Sequence, residues 1–138
     1  MFTYEQYIGR WYLSPDLTYE RVANIQNKLM PAVESLYARL VSEDIEFRTN
    51  PTTNSQISGQ LYGGFRPQSC TQGAPNSSHK EGLAVDLYDP NGEIDAYLLK
   101  NPDVLEEHGI YIEHPDKTPN WSHWSVKPPA SGRHVFYP

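Results

Sequence analysis

Ser77-Ser78-His79-Lys80-Glu81-Gly82-Leu83-Ala84-Val85-Asp86 carries a polar turn straight into a short apolar run, and this junction sets how the rest of the chain is read. The run 83–88 has the length and make-up of a buried strand. Along it Leu83, Val85 and Leu87 point one way while Ala84 and Asp86 point the other. A small alanine beside the acid leaves room for an ion. Gly82 permits a backbone turn that residues with a Cβ resist, and Ser77 is positioned to orient His79. Near the end of the chain, Trp121-Ser122-His123-Trp124 lies on a second predicted strand, 122–126, and offers another imidazole. Two histidines and one carboxylate leave a coordination position open, as catalytic zinc sites do and closed structural sites do not. From the residues alone other roles stay open: His79 at the surface, Asp86 capping a strand end, His123 hydrogen-bonded between two tryptophans.

Upstream, Asp16-Leu17-Thr18 opens a helical pattern in which Val22, Ile25, Leu29, Val33, Leu36 and Leu40 recur at steps of three and four. Pro31 interrupts it, which predicts a kink or two consecutive helices. Residues 1–15 show no clear period. Residues 42–56 are polar, and Asn50-Pro51-Thr52-Thr53-Asn54 predicts an exposed loop. A strand over Ile57–Tyr62 is expected to lead to Gly63-Gly64 and Arg66, with an irregular loop over 67–78 beside the candidate site. The strand at 83–88 ends in the turn Asp89-Pro90-Asn91-Gly92. Short helices follow at Ile94–Leu99 and Pro102–His108, stopped by Gly109. Ile110–Glu113 completes a small antiparallel sheet. Strands grouped late after an early helix give an α+β fold, with one domain over 1–138.

The formal net charge is −6, with no basic run and no glycine-rich phosphate loop, which argues against a nucleic-acid partner. The single cysteine, Cys70, excludes an internal disulfide and reads as an idle thiol. No apolar run is long enough for a membrane span. Met1-Phe2-Thr3-Tyr4-Glu5 lacks a signal-peptide pattern, so synthesis in the cytoplasm is expected.

The pattern Ser-x-His-x-x-Gly-x-Ala-x-Asp at 77–86, followed by Trp-x-His at 121–123, resembles the zinc D-Ala-D-Ala peptidases, the fold group shared with hedgehog signalling domains. Within that group the chain is most similar to short bacteriophage and bacterial cell-wall peptidases. Gly64-Phe65-Arg66-Pro67, Gly73-Ala74-Pro75-Asn76 and the tail Pro128-Pro129-Ala130-Ser131-Gly132-Arg133 extend the resemblance over most of the chain. It implies a hedgehog-like fold and Zn2+ held by His79, Asp86 and His123, although such ligands also suit manganese, cobalt or nickel. It implies peptidoglycan stem or cross-bridge peptides as substrate, with endopeptidase action favoured over carboxypeptidase action. Action at the cell wall or in a virion is implied too, reached by lysis or packaging, with other phage particle proteins as further partners.

Arg66 stands where the resembling enzymes use an arginine to pair with a substrate carboxylate or to steady the reacting carbonyl oxygen; a structural ion pair is its other reading. Ser77 is expected to hydrogen-bond near the first ligand or to cap the local turn. Trp121 and Trp124 read as core or pocket wall on opposite strand faces; Trp121 shares a face with His123 and is expected to line the cleft. Arg133 and His134 close the domain or touch substrate. The match departs at the general base. Three residues before the last histidine, where relatives often carry Glu or Asp, stands Asn120, which has no useful basicity. Glu113, at the end of a predicted strand leading toward the site, is the preferred replacement, ahead of Asp116 and His114. Asn120 also favours a rival reading: a non-catalytic virion, tail or wall-binding protein that keeps the fold and the metal.

Overall fold

The apolar residues recurring along 19–42 form one helical run in the computed structural model, which describes residues 1–138. Thr18 caps it by accepting the Arg21 N–H, and α2 (Tyr19–Asn24) passes through a π-helical turn, Ile25–Leu29, into α3 (Met30–Ser42). Ile25, Leu29, Val33, Leu36 and Leu40 are fully buried, so the periodicity marks the core face as expected. The interruption at Pro31 marks the start of the second of two consecutive helices, joined without a loop by the π turn. Proline has no N–H to donate, and the π turn immediately before it already departs from the ordinary i−4 ladder. The N-terminus, without visible period, is nonetheless helical as α1 (Tyr4–Ile8). Its signal is local: Thr3 and Gln6 form a reciprocal capping box. The Tyr7 hydroxyl donates to the Ala84 carbonyl at 2.7 Å and ties this helix to the sheet.

Four strands, β1 (Ala84–Tyr88), β2 (Tyr111–Glu113), β3 (Trp121–Ser125) and β4 (Val135–Phe136), lie in the order β1-β3-β2-β4. β3 pairs antiparallel with both β1 and β2. β4 runs parallel to β2, so the sheet is mixed rather than wholly antiparallel. The cause is topological: the chain reverses after β3 and skips over β2 to its far edge, which brings it in parallel. The expected strand at 57–62 reduces to a single bridge between Ile57 and Leu87. Its backbone still covers the outer edge of β1, since Tyr88 N–H donates to the Gln56 carbonyl and Asp86 N–H to that of Gly63, both at 2.7 Å. The 42–56 segment is not wholly exposed either: Asn50 and Ser55 bridge each other and are buried.

Two short helices, α4 (Glu93–Lys100) and α5 (Pro102–His108), complete the fold, and Gly109 ends α5 in the left-handed region as expected. The core gathers Val85, Leu87, Ile112 and Trp124 from one face of the sheet with Leu36 and Leu40 of α3 and Leu98 and Leu105 of α4 and α5. The opposite face of β1 and β3 is left for polar groups. No helix is long and apolar enough to cross a membrane.

Candidate metal centre

Antiparallel pairing sets Asp86 directly opposite His123 across β1 and β3, so both side chains rise from the same face of the sheet. His79 reaches them from a 3-10 turn, Ser78–Glu81, in which the His79 N–H donates to the Ser77 hydroxyl at 3.3 Å. Gly82 joins that turn to β1 at φ +73°. A Cβ there would lie 2.6 Å from Ile25 Cγ1 and 2.9 Å from the Arg21 carbonyl oxygen, so only glycine fits. His79, Asp86 and His123 are all buried, and one ligand atom from each lies within 4.8 Å of the others.

The hydrogen bonding of His79 decides what this cluster is suited to hold. Its Nδ1–H donates to the Gly64 carbonyl at 2.7 Å, which fixes the tautomer of the neutral ring and leaves a lone pair on Nε2. That lone pair faces Asp86 Oδ1 at 3.2 Å. Burial pushes the His79 pKa below its ordinary value, against the pull of Asp86, so a second proton is a poor remedy for two lone pairs in contact. A cation between them is a good one. His123 Nδ1 lies 2.8 Å from the same carboxylate oxygen. Ligands at ~2.0–2.1 Å from a tetrahedral zinc stand roughly 3.3 Å apart, close to the His79–Asp86 spacing, while the His123–Asp86 contact would open by about half an ångström to admit the ion. The nitrogen and oxygen donors therefore fit a divalent metal, and the Gly64 bond is the outer support that a ligating imidazole requires.

Burial works against the charge of Asp86, but His79 when it carries a second proton, and the hydrogen bond and charge of His123, hold its carboxyl well below the usual carboxylate range. Burial likewise opposes protonation of His123, yet its hydrogen bond to Asp86 and the charges of Asp86 and Glu113 lift it above the ordinary value. Asp86 Oδ2 accepts from Arg66 Nη2 at 3.2 Å. The same guanidinium donates through Nε to the Tyr62 carbonyl at 2.8 Å and through Nη1 to the Gln72 carbonyl at 3.2 Å. Gly73, at φ +79°, lets the loop close over it, since a Cβ would come within 2.6 Å of Nη1. Arg66 is thus an internal brace for Asp86, in agreement with the ion-pair reading of this residue.

Glu113 closes the other side. Its Oε1 lies 4.0 Å from His123 Nε2, and burial raises its pKa while His123 partly offsets the rise. Ser77 and Trp121 line the same cleft, which encloses about 520 Å³. Asp116 does not. It sits in the 3-10 turn Pro115–Lys117, where its N–H donates to His114 Nδ1, and its side chain is 73% exposed. Arg133 is exposed, and His134 stacks on Tyr111 while its Nδ1–H donates to the Ile110 carbonyl. Asn120 takes φ +75° in the turn before β3, and its side chain is not part of the cleft wall.

Two features of the cleft, and one behind the sheet, were not read from the sequence. Phe136 and Tyr137 form its aromatic wall from β4 and the residue after it, and Gln72 reaches it from the 67–78 loop. Val135-Phe136-Tyr137 is an apolar run, but too short to mark a strand. Behind the sheet lies Asp95, buried on α4 and accepting hydroxyl protons from Ser122 and Thr118, while Trp124 Nε1–H donates to Ser122 Oγ at 2.8 Å. Burial pushes the Asp95 pKa to about 7; the Ser122 hydrogen bond opposes the rise and nearby Asp89 adds to it. An acid between Ile94 and Leu98 on a core-facing helix was its sequence signal.

No protein-family model, curated protein or solved structure matches this chain.

Proposed function

We propose that this chain is a metal-dependent peptidase of the zinc D-Ala-D-Ala peptidase kind, hydrolysing stem or cross-bridge peptides of bacterial peptidoglycan. The observation that carries the metal half of the reading is the His79 Nε2 lone pair aimed at Asp86 Oδ1, with His123 Nδ1 alongside. The substrate half is drawn from the resemblance of residues 77–86 and 121–123 to that family. Action at a cell wall or in a virion, beside other phage particle proteins, belongs to the same proposal.

His79, Asp86 and His123 would hold the ion. A zinc ion supplies Lewis acidity, polarising a peptide carbonyl and making water nucleophilic near neutral pH. Glu113 is the general base: it takes a proton from the attacking water and returns it to the departing amine. Its partial burial beside His123 suits it to the task, because the carboxylate is more basic there than in water. Arg66 keeps Asp86 in position and holds fixed positive charge within the cleft, where the carbonyl oxygen turns negative. Trp121 walls one side. Asn120 favours the non-catalytic reading, and Glu113 beside His123 weighs against it.

The test is release of stem peptides from purified peptidoglycan by zinc-loaded protein, read by mass spectrometry, with His123→Ala as control. New amine ends made only by the unmodified protein support the peptidase, and fragment masses name the bond. Protein that retains zinc yet releases nothing from several wall types would favour the non-catalytic reading.

A further inference from the structure

The 3-10 turn that delivers His79 to the cleft has a second flank. There Lys80 and Glu81 line a separate hollow of about 380 Å³ together with Arg21 of α2 and Lys127. Ser77 belongs to the walls of both the hollow and the cleft, so the two are neighbours. In a chain of net charge −6, three basic side chains meet here against one acid.

These charges are not balanced within the protein. Lys80 is 5% exposed, yet its ammonium forms no ion pair and donates only to the carbonyls of Gln68 and Pro75. A buried charge held by neutral dipoles alone lacks the counter-ion that would offset its desolvation. Arg21 forms no ion pair either. It donates through Nη1 to the Asp16 carbonyl at 2.9 Å, which leaves the Nε–Nη2 edge of the guanidinium without a protein acceptor. The Asp16 carboxylate accepts from the Gln68 N–H instead. Lys127 does pair, with Glu81 at 2.6 Å, but both side chains are more than two-fifths exposed. Such a pair is worth little against solvent and is readily exchanged.

We infer that the hollow between Arg21, Lys80 and Lys127 is a carboxylate subsite, in which a peptide lying in the cleft and passing Ser77 sets an acidic side group away from the reacting bond. This rests on the peptidase reading and adds to it a preference for acidic peptides. The open Nε–Nη2 edge of Arg21 is a planar fork that matches both oxygens of a carboxylate. Lys80 brings its third N–H and the charge it cannot spend inside the protein, and Lys127 leaves Glu81 to join them.

The cleft holds positive charge of its own in Arg66, His123 and any bound metal, so the test must locate the carboxylate as well as detect it. Two stem-type peptides, both amidated at the C-terminus, differ only in whether their acidic residue carries a carboxylate or a carboxamide. Each is titrated by calorimetry into zinc-loaded Glu113→Gln, in which turnover is suppressed. The titrations are repeated with Arg21→Gln, and separately with the exposed Lys127→Gln, added to that protein. The acid is expected to bind more tightly than the carboxamide, by roughly three- to tenfold. That ratio should fall by half or more in at least one of the two added variants, with the carboxamide affinity unchanged. An acid no tighter than the carboxamide, or a ratio that survives both substitutions, overturns the subsite and leaves the cleft a peptide site. Failure of both peptides to bind overturns the peptidase reading, and the inference falls with it.

Discussion

A buried histidine has two ring nitrogens to account for, and His79 spends only one of them on the protein backbone. The Gly64 carbonyl fixes where the proton sits, so the other nitrogen has to meet Asp86 with a lone pair. Glu113 and Asn120 divide the remaining question between them. Asn120 occupies the left-handed region, which asparagine tolerates better than most residues, and its backbone carbonyl accepts from Asp89 N–H at 2.9 Å. Its role is to shape the turn into β3. Glu113 has the side chain near His123. Glu113→Gln is therefore expected to lower kcat by about two to four orders of magnitude, the typical worth of a general base. Bound zinc, measured by elemental analysis, should stay at the level of the unmodified protein. Asn120→Asp should give no gain in rate. A faster Asn120→Asp enzyme, or a Glu113→Gln enzyme of undiminished kcat, would assign the proton to another group.

At the scale of elements, two joints hold the 67–79 region against the sheet. One is Gly82, where φ +73° and the nearness of Ile25 and the Arg21 carbonyl leave no room for a Cβ. Gly82→Ala should cost at least about 1–2 kcal/mol from the backbone conformation alone, read as a lower urea midpoint. The other is Lys80, 5% exposed, whose ammonium donates to the carbonyls of Gln68 and Pro75. Lys80→Met leaves both carbonyls short of a donor, a loss of about 1–3 kcal/mol. Amide exchange over 67–78 should quicken and peptide affinity should fall, while zinc affinity holds. Unchanged exchange in that loop would show that Lys80 is not its anchor. These joints also show what could be read in advance. The alternation along 83–88 and around His123 was legible because one residue in two had to face the core, and that rule put Asp86, His123 and Trp121 on the cleft face together, while His79, in a 3-10 turn, lay outside its reach. The π turn was not legible, because it changes hydrogen-bond register without disturbing the burial of Ile25 and Leu29. Nor was β4, whose two residues become a strand only by pairing with β2. Asp116 was misjudged because proximity in sequence to Glu113 says nothing about the outward 3-10 turn that separates them.

At the scale of the molecule, the sheet has an acid on each side, and the two act on stability in opposite directions. Asp86, on the cleft side, is ionised and accepts from His123 and Arg66. Asp95, on the other, is 2% exposed and has hydroxyl partners but no cation. Its pKa is about 7 in the folded chain against an ordinary 3.8. Between those values the folded state keeps a proton that the unfolded state has released. The stability contributed by Asp95 is therefore fully present below the unfolded pKa and is lost as pH rises through that window, by at most about 1.4 kcal/mol per pH unit. Asp95→Asn removes the titration and keeps an oxygen to accept from one hydroxyl. Comparing urea unfolding of the two proteins in chelator cancels the titration of the other groups, Asp86 and the histidines included. The stability of Asp95→Asn relative to the unmodified chain should thus climb by about 2–4 kcal/mol from pH 4 to pH 7.5. Parallel profiles over that range would mean that Asp95 is ionised throughout, and that Ser122 and Thr118 are donors enough to keep a bare carboxylate behind the sheet.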